Sequence, residues 1–346
     1  MKKKRIFAGL MALMLCVMAL SACGTKTEEA ATGNVDVNDP AAVVATVNGV
    51  DITLDEFGFF VIQAATIEAY RNNSEFGGDF SLVDWEAKTE NGKTLKETVV
   101  DRAVSEAVNY VLLSLYAEEN GMGVTEEDTE QIDSTMEQFV AENSEDMFKK
   151  SLAAMGIMTA DGYKKMSKLM VGASKFETEF NGDKSKFIED EKMFQSYADN
   201  DHVSVQHILI LNDSEKHENP EAVINDVLKR AKDGEDFQAL MEEFNEDPGQ
   251  PPAGYSIGKG EMVPEFENAA FALDYDQISD VVKSDYGYHI IKRVTGLYEF
   301  KNFLKEDAEI EKNEAILKEL PIADMVTAAY NANMELNSMV GGQANG

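Results

Sequence analysis

The chain is poor in cysteine, in basic residues and in long apolar runs. Only Cys16 and Cys23 occur in 346 residues. That excludes a disulfide framework or a cysteine-based zinc site in the folded part. Lys and Arg number 31 against 64 Asp and Glu, a formal net charge of -33. So few bases exclude nonspecific nucleic-acid binding, which needs cations to neutralise phosphates. They also exclude a polybasic membrane patch on the mature protein. The apolar run Ile6 to Leu20 stops short of the roughly 20 residues that a spanning helix needs. No internal repeat is visible. What is present is 44% apolar residues, enough for a buried core. The length allows about two domains at roughly 150 residues each.

The first residues read as an address. Lys2, Lys3, Lys4 and Arg5 precede the uncharged run, as in a secretory signal. Leu20-Ser21-Ala22-Cys23 resembles a bacterial lipobox, which implies cleavage before Cys23 and lipid on its sulfur. Cleavage of residues 1–22 leaves 27 bases against 64 acids, a charge of -37. The mature protein is then expected outside the cytoplasmic membrane, held by acyl chains. Residues 23–41 are polar and read as a flexible tether, and residues 338–346 as a disordered tail.

Folded structure is expected from Ala42. Val43 to Val47 has a strand pattern, Asn48-Gly49 signals a tight turn, and Thr53-Leu54-Asp55-Glu56 is a capping box. Helices are predicted over 54–72, 95–119, 125–142, 144–155 and 160–180. Met residues crowd this stretch, including Met147, Met158, Met166 and Met170, and suit either core filling or adaptable binding. Near residue 201 the pattern changes. Val203 to Leu211 is β-branched and apolar, hence a strand. Helices are predicted from Pro220 to about Lys232, over 236–245 and from Pro264 to Leu273, then strands at 281–284 and 288–294. Residues 301–337 return to helix, broken at Pro321. The result is an α+β chain.

The segment 201–297 resembles the parvulin family of peptidyl-prolyl isomerases. The resemblance lies in His207-Ile208-Leu209, Phe244-Asn245-Glu246-Asp247-Pro248-Gly249, Gly260-Glu261-Met262-Val263-Pro264-Glu265-Phe266, Ala270-Phe271-Ala272-Leu273 and Gly287-Tyr288-His289-Ile290-Ile291. These occur in family order and spacing. The resemblance implies a four-stranded, antiparallel-type sheet with surrounding helices. It implies paired histidines at His207 and His289, a catalytic acid at Asp247 facing the substrate carbonyl, and a proline pocket at Met262 and Phe266. Tyr286 is expected at the pocket rim. The usual Gly-rich run is shortened to Gly254–Gly260, and Tyr255 or Ile257 is expected to replace a missing apolar residue of the wall. Asn212-Asp213-Ser214-Glu215 stands where phosphate-reading members place bases, so a phosphoserine preference is disfavoured. No cofactor or metal is implied, because the chemistry twists a bond and breaks none.

The rest of the chain resembles extracytoplasmic foldases of the PrsA and SurA type, through Val47-Asn48-Gly49-Val50-Asp51-Ile52-Thr53 and the helical pattern. This implies that residues 42–200 pack with 298–337 as a chaperone lobe into which the parvulin-like domain, 201–297, is inserted. The expected function is a lipid-anchored foldase that isomerises X-Pro bonds in unfolded secreted proteins. The alternative is a non-catalytic holdase, which the shortened pocket run favours. Homodimerisation is left open.

Overall fold

The computed structural model describes residues 36–72, 80–89, 91–197, 201–213 and 215–343. The signal run, Cys23 and the tether up to residue 35 lie outside the described residues. Asp36–Gly346 forms one compact unit. Among the described residues, no helix is long and apolar enough to cross a membrane.

The fold is α+β. Strands β1 (Val43–Val47) and β2 (Val50–Thr53) pair as an antiparallel hairpin. Asn48 and Gly49 turn it with φ of 49° and 81°, the positive values that these two residue types tolerate. Helix α1 (Leu54–Asn72) opens on the expected box, where the Thr53 N–H donates to Glu56 Oε1 at 2.8 Å. Helices α2 (Leu95–Glu119), α3 (Glu126–Glu142), α4 (Glu145–Ala154) and α5 (Ala160–Gly182) follow. Each has a Thr or Ser N-cap whose oxygen accepts a backbone N–H of its first turn. Of the Met residues in this stretch, Met147 and Met166 are buried while Met158 and Met170 are exposed.

After the short α6 (Glu191–Phe194) comes β3 (His202–Leu211), then α7 (Pro220–Lys232) and α8 (Phe237–Phe244). Next come β4 (Tyr255–Gly258), α9 (Pro264–Phe271), β5 (Val282–Lys283) and β6 (Gly287–Arg293). The sheet order is β4-β3-β6-β5, antiparallel throughout. Helices α7 and α8 pack Ile224, Val227, Phe237 and Leu240 against Ile208, Ile210 and Ile290 on one face. Helix α9 packs Phe266 and Ala270 against Val203, Val205 and Ile291 on the other.

Helix α10 (Leu297–Glu306) carries the chain back to the helices. Its Phe300 stacks on Phe176 of α5 at 5.1 Å and meets Tyr116 of α2 edge-on at 5.2 Å. At its start, fully buried Glu299 accepts from Ser204 Oγ at 2.7 Å, from the Gly296 N–H at 3.0 Å and from Tyr275 OH at 3.1 Å. Strand β7 (Ile310–Lys312) then pairs with β1, giving a second sheet of order β2-β1-β7. Helices α11 (Glu314–Glu319) and α12 (Ile322–Gln343) end the described chain.

Three features depart from the sequence expectations. Strand β4 lies within the run read as a shortened pocket wall. Strand β7 interrupts a stretch read as helix. Both are short and gain their hydrogen bonds from strands far away in sequence. Helix α12 continues to Gln343, past the tail expected from 338. No proline stops it, and Lys150 of α4 pairs with Glu335 at 3.2 Å on its last turns.

Candidate active site

Alternation along β3 sends Val203, Val205, His207 and Leu209 to the face covered by α9. On β6 it sends His289 and Ile291 to the same face. The register pairs Leu209 with His289 and His207 with Ile291, so the two histidines are diagonal neighbours. Their Nδ1 atoms lie 3.4 Å apart, and the rings stack with centroids 5.6 Å apart and planes 14° from parallel. Both rings are buried, at 4% and 5% exposure.

Asp247 reaches this pair because of an open strand edge. Strand β4 pairs with β3 only over His202–Val205, which leaves the same edge uncovered further along. Buried backbone groups need partners, and the loop after α8 supplies them. The Gln250 carboxamide accepts from the His207 N–H at 3.1 Å and donates to the His207 carbonyl at 2.9 Å. Asn245 Oδ1 accepts from the Leu209 N–H at 2.9 Å, and Glu246 Oε2 from the Leu211 N–H at 2.9 Å. The loop thus replaces a strand with side chains. Gly254 closes it with φ of 92°, where a Cβ would sit 2.3 Å from the Val205 carbonyl.

Docked in this way, Asp247 places Oδ2 3.0 Å from His207 Nε2. Tyr255 OH donates to the same oxygen at 3.1 Å, and the Gly249 N–H donates to Oδ1 at 2.9 Å. Burial alone would raise the Asp247 carboxyl, but these donors outweigh it and hold its pKa below the ordinary value. Burial and the adjacent carboxylate push the Tyr255 phenol up to about 12. Burial lowers His207, against the pull of Asp247, and lowers His289 to about 4.

These directions assign the protons. An ionised carboxylate only accepts, so neutral His207 donates from Nε2 and accepts at Nδ1. His289 then donates from Nδ1 and accepts at Nε2. Ser284 Oγ, 2.8 Å from that Nε2, is the donor, and it accepts the Tyr286 N–H at 3.2 Å. Every step from Ser284 through His289 and His207 to Asp247 has one direction. The tautomers follow from the network.

The floor beside this chain is apolar. The Phe266 ring stands nearly perpendicular to both imidazoles, with centroids at 5.1 and 5.4 Å. Met262 is half-buried at the edge of the same cluster, with Tyr255.

The structure therefore brings together His207, Asp247, His289, Tyr255, Met262 and Phe266. Ile257 is 2% exposed and sits in the core under the sheet face, so it lines no open wall. Tyr286 turns its ring outward, 63% exposed, and joins the site through its backbone N–H. Sequence reasoning missed Ser284, Asn245 and Gln250 as site residues. The last two fill an edge that only the register exposes. His202, at the start of β3, is half-buried and stacks on Tyr298 at 4.1 Å.

Residues 188–296 match the family described as PPIC-type PPIase domain, and residues 1–176 match the SurA-like N-terminal domain. Foldase protein PrsA of Caldanaerobacter subterraneus subsp. tengcongensis is 27% identical over 326 residues, 91% of this chain and 92% of that protein. Foldase protein PrsA of Geobacillus sp. is 43% identical over 102 residues, but the match spans 28% of this chain and only 37% of that protein. Among solved structures, the parvulin NmPin of Nitrosopumilus maritimus is 33% identical, with 28% of this chain and 100% of that one covered at a TM-score of 0.24. The chain belongs to the family of SurA-like proteins, and it carries a parvulin-type peptidyl-prolyl cis-trans isomerase domain behind its SurA-like N-terminal region.

Proposed function

We propose that the protein is a lipid-anchored, extracytoplasmic foldase that isomerises X-Pro bonds in secreted proteins as they fold. The observation that carries this reading is the one-directional chain from His289 through His207 to an ionised Asp247, set beside the Phe266 floor.

The chemistry asks for little more. Rotation about an X-Pro amide faces a barrier of roughly 18–20 kcal/mol and takes tens of seconds or longer unaided. The planar amide places negative charge on its carbonyl oxygen, and that charge fades as the bond twists. With the proline ring on Phe266 and Met262, a carboxylate facing that oxygen opposes the planar state more than the twisted one. The discrimination between the two states is the source of catalysis. The neutral histidines position Asp247 and move no proton. Tyr255 supports the same carboxylate from the pocket side.

Lipid on Cys23 is supported by Leu20-Ser21-Ala22-Cys23 after a short apolar run. The limits proposed for the parts are 1–22 for the signal, 23–41 for the tether, 42–200 with 298–337 for the chaperone lobe, and 201–297 for the isomerase domain. The acidic body suits basic or neutral unfolded clients.

The test is refolding of a secreted protein whose slow phase is a proline isomerisation. The wild-type protein is expected to speed that phase at catalytic amounts, and Asp247→Ala is expected to leave it slow while still limiting aggregation. Limited aggregation with no acceleration by the wild type would sink the isomerase reading and leave a holdase. In cells, palmitate labelling of the wild type and its loss in Cys23→Ala test the anchor.

A further inference from the structure

The turns that follow β3 and precede β6 are tied to each other beside the paired histidines. The Asn212 N–H donates to the Tyr286 carbonyl at 3.0 Å, and Asn212 Nδ2 donates to the Asp285 carbonyl at 2.9 Å. From the other side, the Tyr286 N–H donates to Ser284 Oγ at 3.2 Å, and that hydroxyl lies 2.8 Å from His289 Nε2. The backbone of Tyr286 is thus pinned on both sides, through Ser284 to His289. Its ring is 63% exposed. A lone exposed aromatic ring needs no explanation. One whose backbone is held rigid against a catalytic chain is a preformed contact surface, because little ordering remains to oppose a ligand that settles on it.

The register fixes where this surface lies. Val203 and Val205 share a cluster with Phe266 and Met262, so the apolar floor covers the first half of β3. Leu209 follows opposite His289, and Leu211 opposite Gly287. The turns with Asn212, Asp285 and Tyr286 come next, at the end of the site away from the floor. Asp247 stands between the two ends. It meets His207 at 3.0 Å, and its neighbour Glu246 binds the Leu209 carbonyl and the Leu211 N–H at 2.9 Å each. With a proline ring on Phe266 and the preceding carbonyl facing Asp247, the residue that owns this carbonyl directs its side chain away from the floor and towards the two turns.

Charge decides which side chain fits there. Asp213 and Asp285, one on each turn, are exposed. Lys283 is the nearest base before Tyr286, and it faces away: it pairs in register with Tyr288 and sets Nζ 5.2 Å from that ring, on the face beneath α7. Lys216, further along the loop after β3, is itself engaged. A cation before the proline finds an aromatic face and two carboxylates, whereas an anion there meets repulsion. We propose that Tyr286, with Asp213 and Asp285, forms the subsite that reads the residue before proline and selects Lys or Arg. The proposal rests on the isomerase reading and narrows its substrate class by position, which the net charge of -33 alone does not.

The test uses two short capped peptides of identical composition. One carries Lys directly before its proline and Glu near its far end; the other exchanges the two. Their net charges are equal, so general attraction to an acidic protein cancels. Isomerisation by the full chain is measured by NMR exchange for the wild type, for Tyr286→Ser and for Asp213→Asn combined with Asp285→Asn. The wild type is expected to favour the Lys-Pro peptide by about 5- to 10-fold in kcat/KM. Each variant is expected to lower that ratio by about 2- to 4-fold. A ratio taken within one variant also cancels any uniform loss of folding or chemistry. A wild-type ratio within about twofold of one, or a ratio unmoved in either variant, overturns the subsite. If the wild type isomerises neither peptide, the isomerase reading fails separately. Titration of both peptides, followed by NMR, then decides: tighter binding of the Lys-Pro peptide that both variants weaken upholds the subsite, and equal or absent binding overturns it.

Discussion

His207 and Ile208 are consecutive on β3, yet their side chains enter opposite faces of one sheet. Ile208 joins Ile210 and Ile290 beneath α7 and α8, where apolar side chains close the layer. His207 joins His289 and Phe266 beneath α9, where two imidazoles are buried only slightly less deeply than the isoleucines. The first face gains free energy from burial at about 25 cal/mol per Å² of apolar area. The second must satisfy every polar atom that it hides, which it does with Asp247, Ser284, Tyr255 and the Gln250 edge. One strand thus separates holding the domain together from orienting a carboxylate.

The largest expected effect breaks the apolar face. Ile208→Ala is expected to cost about 2–5 kcal/mol in urea unfolding while leaving isomerisation per folded molecule unchanged. A loss of activity beyond the loss of folded protein would dissolve the division between faces.

Acid attacks the other face. The unfolded chain binds a proton at His289 near pH 6.5, whereas the folded site resists until about 4. Stability is therefore present above pH 6.5 and drains as pH falls towards 4, by about 3 kcal/mol from this residue. Depressed His207 and Asp247 act with the same sign, the Asp247 contribution being lost below the ordinary carboxylate range. Unfolding free energy followed from pH 7 to 4 should fall more steeply than in His289→Leu.

Tyr255→Phe removes one donor from Asp247 and is expected to lower isomerisation by about 3- to 10-fold with little change in Tm. The smallest effect is expected at Arg71, which ties the end of α1 to Glu261, next to Met262, at 2.8 Å. The pair is about two-fifths exposed, so Arg71→Ala should change stability by less than about 1 kcal/mol, and raised salt should erase the difference.

These contrasts also mark what could be read in advance. Helix α1 was legible to the residue, because Thr53 with Glu56 announces its start. The two histidines were legible from their neighbours in the pattern. Strand β4 was not: its four residues are held by β3, some 50 positions earlier, and no local alternation marks them. Ile257 was taken for pocket wall because its direction depends on that pairing. Gln250 and Asn245 look like loop polar residues until the open edge of β3 gives them partners. Local chemistry is written in local sequence, whereas edge filling depends on register, which long-range pairing sets.

The most direct test is cis-trans exchange of an Ala-Pro peptide, measured by NMR with the wild-type chain, Asp247→Ala and Ile208→Val at equal folded concentration. The expected result is exchange well above background for the wild type and Ile208→Val, with a drop of roughly 100-fold per folded molecule for Asp247→Ala. Exchange that persists in Asp247→Ala, or that is absent in the wild type, would contradict the account.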